Sequence, residues 1–498
     1  MAAIPAIRLQ SLNGAEVDRE GQHVLYWMIA NRRTRYNFSL QHAVEYARQL
    51  DKPLFVLEAL RCDYPWASDR LHRFVVQGMA DNRASLADAP AYYYPYVEPA
   101  TGAGKGLLKS LAEHACAVVT DDFPAFFLPK MLNAASRHVQ ARFEKVDSNG
   151  LLPMRAADRV FTRAFDLRRY LQKNLLPHLS DTPVSHPLSR VKLPQSEIPQ
   201  DILEKWPPAD LEALLEPHGL DKLPIDHQVR PVHYSGGADA AGKTLNAFLK
   251  NRLQDYDEQR NQPQQQVTSE LSPYLHFGHI SVHEVFEKLT KLHDWSPGMT
   301  SGKANGSRSG WWGLPDTVES YLDELITWRE LGFNLCSRTD DYDKYSSLPD
   351  WARQTLEDHK GDQRGYVYTL EEFEHARTHD PLWNAAQNQL VLEGRIHNYL
   401  RMLWGKKILE WTNTPQHALR VMIELNNKYA VDGRNPNSYS GICWVLGRYD
   451  RPWGPEREIY GKIRYMSSEN TARKVKVSEY IARYNGHGTN GQKRLFED

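Results

Sequence analysis

Five short apolar or aromatic runs, separated by helical patterns, fill residues 22–150, and this alternation leaves the N-terminal part few folds to choose from. HVLYWMI (23–29), PLFVLEAL (53–60), AYYYPYV (91–97) and CAVVTDD (116–122) are near-continuous rather than alternating in polarity, and the more polar RFEKVD (142–147) reads as a fifth strand after them. Strands buried on both faces read this way, and they belong to parallel sheets covered by helices. Helical periods at 71–86 and 126–139 provide such covers. The expectation for 1–150 is an α/β domain with a five-strand parallel, Rossmann-like sheet. Its ligand rim would lie at the carboxyl ends of the strands, at 31–36 and 121–123. No GxGxxG follows the first strand, so the dinucleotide fingerprint is missing.

Residues 151–245 are irregular and rich in proline, and PVSHPLSRVKLPQSEIPQ (183–200) reads as an interdomain linker. From 246 to 480 helical periods dominate, which predicts an all-α C-terminal domain. The tail, 481–498, ends in YNGHGTNGQKRLFED and is expected to be disordered. A chain of 498 residues is long enough for two cored domains. Its formal net charge of −1 excludes a molecule-wide field for nucleic acid. The segment 448–476, with eight Arg and Lys against four Asp and Glu, is the local exception; charge runs of this kind are also ordinary solvated surface.

Cys62, Cys116, Cys336 and Cys443 are scattered, so neither a disulfide framework, an iron–sulfur cluster nor another metal site is expected. The first 20 residues lack an apolar signal region, and no long apolar run predicts a membrane span. The expectation is an intracellular monomer, cytoplasmic if bacterial and nuclear if eukaryotic. Gly237-ADAA-Gly242-Lys243-Thr244 fits the phosphate-loop pattern, but polar, proline-bearing residues precede it where a buried strand is required. A helix from about 241 to 253 accounts for it.

DPLWNAAQNQLVLEGRIHNYLRMLWGKKILEW (380–411) reads as one long helix with Asp380 as N-cap and Pro381 at its first position. It carries Trp383, Trp404 and Trp411, and a solitary charge, Arg401, on an otherwise apolar face. Tryptophans seven residues apart share a helix face. Periodicity alone favours a packed core, and it cannot single out the other reading, a relay of oxidisable rings.

LSPYLHFGHIS (271–281), ELITWREL (324–331), the tryptophan segment, LNNKYAVDGRNPNSYSGICW (425–444) and DRPWGPEREIYGKIRYMS (450–467) occur in that order. Together they resemble the photolyase/cryptochrome family. HDPLWNAAQ, RMLWGKKILEW and GKIRYMS are similar to its class II cyclobutane pyrimidine dimer photolyases. The resemblance covers the whole chain and is densest from 256 to 473.

The resemblance implies light-driven repair of pyrimidine dimers in UV-damaged double-stranded DNA by electron transfer from reduced FAD. It places Tyr256, Thr268, Ser269, Glu270, Leu271 and Ser272 at the FAD phosphates, and Asn426 beside flavin N5. Arg401 would pair with Asp432. Glu324 would contact the dimer, between the aromatic walls Trp328 and Trp444 and above Met402. Arg260, Trp453 and Arg464 would lie near the DNA strand. Trp404, Trp383 and an exposed Trp411 would re-reduce the flavin in that order. The N-terminal sheet would hold an antenna chromophore, an 8-hydroxy-5-deazaflavin or a folate. The rival implications are a cryptochrome-like photosensor, against which the short C-terminal extension argues, and a (6-4) photolyase, whose expected histidine pair is not placed here.

Overall fold

The strands follow the apolar runs: β1 (Leu9–Ser11), β2 (His23–Met28), β3 (Leu54–Leu60), β4 (Tyr92–Val97), β5 (Ala115–Asp121) and β6 (Arg142–Val146). In this computed structural model, which describes residues 4–485, they form one sheet in the order β1-β6-β5-β2-β3-β4. The five expected strands make its parallel part. The sixth, β1, is an addition: it pairs antiparallel with β6 at the edge. Leu9, Gln10 and Ser11 carry no strand signal of their own, and the open edge of β6 supplies their pairing. Every residue of β2 and β5 is buried, as continuous apolar runs at the centre of a helix-covered sheet require.

The chain steps from β2 to β3 on one side and from β5 to β6 on the other, so the switch point lies at the ends of β2 and β5. There Asp121 Oδ2 accepts hydrogen bonds from the Ile29, Ala30 and Asn31 amides at 2.9, 2.8 and 2.9 Å. The Tyr26 hydroxyl donates to Oδ1 at 2.8 Å. An internal carboxylate thus occupies amides on the expected rim.

The chain divides into two units. One comprises Met1–Asp158, Leu171–Ala247 and Glu270–Thr300; the other Arg159–Tyr170, Phe248–Ser269 and Ser301–Asp498. The 151–245 segment is therefore not a free linker. Most of it packs into the sheet unit, where Leu211, Leu220 and Leu223 share a core cluster with Leu60, Val75, Val76, Met79 and Val97. Trp206 is 3% exposed, and its indole N–H donates to the Ala103 carbonyl at 2.9 Å. Scattered apolar residues between prolines bury enough surface to hold irregular backbone in place.

The phosphate-loop look-alike is a helix start, Ala238–Asn251. Gly237 has φ +98°, and a Cβ there would meet the Asp81 carboxylate at 2.2 Å. That same carboxylate accepts from the Asp239 amide at 2.9 Å. An amide that would face a phosphate is already engaged.

In the helical unit Asp380 caps Pro381–Glu393 as expected, accepting from the Leu382 and Trp383 amides at 3.0 Å each. The helix does not continue to Trp411. Gly394 adopts φ 66°, the left-handed conformation that ends helices, and a second helix runs over Asn398–Glu410. The expected tail begins too early. Helix Ser478–Asn485 is anchored through Tyr480 to Gln389 at 2.7 Å and through Tyr484 to Glu393 at 2.6 Å. Residues 486–498 lie outside the described residues.

Candidate functional site

Between helices Asp316–Leu322 and Arg329–Arg338 the chain makes a π-helical turn, Asp323–Trp328. Such turns hold one residue more than α geometry seats and recur at functional sites. Arg168 grips its first residue, with Nε and Nη2 donating to Asp323 Oδ1 and Oδ2 at 2.7 and 2.9 Å. Both side chains are under 10% exposed, so the paired geometry offsets the desolvation of two charges.

Within 321–330 only Glu324 and Trp328 reach solvent, and residues four apart on a helix are neighbours on one face. Arg260 Nη1 donates to Glu324 Oε1 at 2.6 Å. Burial pushes the Glu324 carboxyl above the ordinary carboxylate range, and the Arg260 guanidinium opposes that rise. Tyr256 lies under Arg260, 5.7 Å from its guanidinium carbon, and meets Tyr321 edge-on at 5.4 Å. Neither Arg168 nor the π turn was found from sequence. Arg168 sits in a segment that reads as linker, and a π turn has no compositional mark.

Arg401 and Asp432 do come together, at 3.4 Å. Arg401 is not the buried charge expected of it: its side chain is 28% exposed, although Nε is buried with no hydrogen-bond partner. Met402, the next residue, is also half-buried. Asn426, on helix Pro415–Tyr429, is 4% exposed and donates to Asn427 Oδ1 at 3.3 Å. Thr268 and Ser269 are half-buried members of the helical unit, whereas Glu270, Leu271 and Ser272 fall in the sheet unit. Glu270 takes φ 59° at this boundary.

A third group gathers around Asp450. Arg464 donates to it through Nε at 2.9 Å and Nη2 at 3.3 Å, and the Trp453 indole N–H donates at 2.9 Å. The Arg464 guanidinium carbon lies 4.3 Å from the Trp453 ring centre and 5.5 Å from that of Trp444. Two expected aromatic contacts and the expected arginine thus form one cluster. The basic segment is not uniformly open: Arg448 is buried, while Arg451, Arg457 and Lys462 are exposed.

The three helix tryptophans form a fourth group. Trp383 donates to the Trp404 carbonyl at 3.0 Å and meets the Trp411 ring at 5.9 Å, so it touches both others. Trp404 donates to Gln387 Oε1 at 2.9 Å. Trp411 is not exposed as expected; only 2% of its surface is open. His379 and Tyr368 cover it, with ring centres at 5.0 and 5.6 Å. The covering residues flank the short helix Leu370–Glu374, whose folding over the helix end leaves no signal in the tryptophan helix sequence.

Among the described residues no cluster of His, Cys, Asp and Glu could hold a metal ion, and the four cysteines are free and buried. No described helix is long and apolar enough to cross a membrane. No family model matches the chain. The chain is 35% identical over 485 residues to a protein of Methanothermobacter thermautotrophicus named deoxyribodipyrimidine photo-lyase, covering 97% of this chain and 99% of that one. Proteins of the same name from Oryza sativa subsp. japonica and Potorous tridactylus are 33% and 31% identical; each match covers 93% of this chain, with 88% and 81% of the relatives. A crystal structure of a bacterial class III photolyase from Agrobacterium tumefaciens shares the fold, at a TM-score of 0.65 and 18% identity over 96% of this chain and 90% of that one.

Proposed function

The chain belongs to the deoxyribodipyrimidine photo-lyase family, enzymes of DNA photorepair, and we propose that its substrate is the cyclobutane pyrimidine dimer in UV-damaged double-stranded DNA and its cofactor a non-covalently held FAD. The observation that carries this is the π turn. Glu324 and Trp328 are its two open residues: one offers a hydrogen-bonding carboxyl, the other an aromatic face. A pair of fused bases taken out of the duplex needs both. The Glu324 carboxyl is placed to hydrogen-bond a base edge, and Arg260 holds it in register. Trp444 is the second wall and Met402 the floor. Arg464, Trp453 and Arg260 meet the DNA strand.

The residues assigned to FAD suit it chemically. Arg401 has a buried N–H without a partner, Asn426 is a buried amide, and Thr268 and Ser269 offer hydroxyls in the same unit. Asp432 orients Arg401, and Tyr256 borders the group. Glu270, Leu271 and Ser272 extend the hydroxyl-bearing block. Bound FAD supplies the photoexcited electron donor. Trp404, Trp383 and Trp411 serve a separate task in this reading, passing electrons inward through a dry segment. The switch-point amides of the sheet are taken by Asp121, so a deazaflavin or folate antenna would need other contacts in the sheet unit.

The test is illumination of the flavin-bearing protein with oligonucleotides that carry one defined lesion. Dimer-containing strands should be restored in the light and not in the dark, with the flavin released on denaturation. Restoration of (6-4) lesions alone, or of neither lesion, would sink the proposal; the latter is the result for a photosensor.

A further inference from the structure

Lys406 has no part in the reading above, yet it lies at the back of the proposed DNA wall. It is fully buried, and its ammonium donates to the Val445 carbonyl, at the last residue of helix Pro436–Val445. A helix C-terminus favours a cation there. The same ammonium lies 5.2 Å from the centre of the Trp444 ring. Trp444 therefore has two cations within 6 Å, the buried Lys406 and the half-exposed Arg464.

The charged groups acting on Lys406 are Asp450, which attracts it, and Arg464, which repels it. Tyr460 donates to the Lys406 carbonyl and to Glu410, and Lys407 is engaged with Glu410, so these neighbours are occupied with each other. Burial lowers the Lys406 pKa to about 7; Asp450 works against that and Arg464 with it. Near neutrality the ammonium is thus half-populated.

The Asp450 carboxylate is only 7% exposed and depends on Arg464. An arginine drawn to DNA phosphates would leave that carboxylate without its ion-pair partner in a poorly solvated place, which is strongly unfavourable. Behind the same wall, the buried cation that Asp450 already attracts is Lys406; Arg451, the next residue along, is exposed and lies over the Trp453 ring. Resting on the proposed roles of Trp444 and Arg464 above, we propose that Lys406 is a positioning residue for the DNA wall: it takes up a proton when DNA draws Arg464 off Asp450, and the ammonium then holds Trp444 and balances Asp450. The proton comes from buffer, and no bond to DNA forms.

Calorimetric titration of a dimer-containing duplex, in two buffers of different ionisation enthalpy poised just above neutrality, reads the proton directly. Wild-type protein should take up as much as one proton per complex, and Lys406→Met none. Affinity of the wild type should fall as pH rises above about 7, by as much as about tenfold per pH unit, because the bound state holds the extra proton. Lys406→Arg, charged throughout, should bind tightly with a flat profile. A lysine that merely fills space would change stability and leave the pH slope as it was. Should Lys406→Met fail to fold, Arg464→Ala decides: with no arginine to move, the uptake should vanish. Buffer-independent heats in the wild type, or unchanged uptake in Lys406→Met or Arg464→Ala, would overturn the proposal. Loss of the preference for dimer-containing over intact duplex would instead strike at the proposed function itself.

Discussion

Trp383, Trp404 and Trp411 are no more than 2% exposed, whereas Trp328, Trp444 and Trp453, in the same helical unit, all reach solvent. In the first set the indole N–H groups of Trp383 and Trp404 end on a carbonyl and a glutamine, so the polar edges are satisfied by neutral partners. In the second, Arg464 lies over the Trp444 and Trp453 rings, and the Asp450 carboxylate accepts from the Trp453 indole N–H. Packing fixes the distances between rings in one set; charge fixes their surroundings in the other. Transfer of electrons between rings depends on the first property. Capture of a polyanion and stacking on its bases depend on the second.

Five variants would break or sharpen this contrast. The largest effect is expected for Trp404→Phe, which should abolish light-driven reduction of oxidised FAD while protein reduced beforehand still repairs. Loss of both activities in step would make the buried set mere core. Next, Trp383→Ala should lower unfolding free energy by about 3–5 kcal/mol. Trp328→Ala, open on one side, should fall well short of that in urea denaturation, and similar losses would erase the distinction. Trp444→Ala should weaken binding of a dimer-containing duplex by about 1–3 kcal/mol, the size of one base–aromatic stack. Fluorescence anisotropy would read it, and an unchanged affinity would remove Trp444 from the wall. The smallest effect belongs to Arg464→Ala, which should hurt dimer-containing duplex more than intact duplex. An equal loss for both, with the log–log salt slope reduced by about one, would make Arg464 a plain phosphate contact.

What the sequence made legible is local. Continuous apolar runs announced five strands, and Asp380-Pro381 announced a helix start, because pattern and capping act over a few residues. The helix end at Gly394 was missed, and 380–411 read as one helix, because the apolar spacing resumes soon after the break. Long-range features were not legible. Lys406 lies in GKKILE, where nothing in the local pattern marks a buried charge, and its burial depends on Trp444 and Val445 some forty positions away. The resemblance implied an exposed Trp411; Tyr368 and His379, on either side of the short helix Leu370–Glu374, cover it. The proline-rich stretch suggests a linker until Trp206 and Leu211 are seen buried.

The wide turn at Asp323–Trp328 carries a consequence for how this protein tolerates change. Each residue of a helix turns the chain by about 100°. Deleting a residue between Glu324 and Trp328 would let α pitch resume and leave the flanking helices close to their present register, because the wider turn seats its extra residue within almost the same rotation. The carboxyl and the ring would then stand three residues apart instead of four, at a changed angle to each other, with both side chains still present. A substitution here edits the chemistry, whereas a single-codon deletion edits the aim; the direction in which the carboxyl and the ring point is stored as a count of residues.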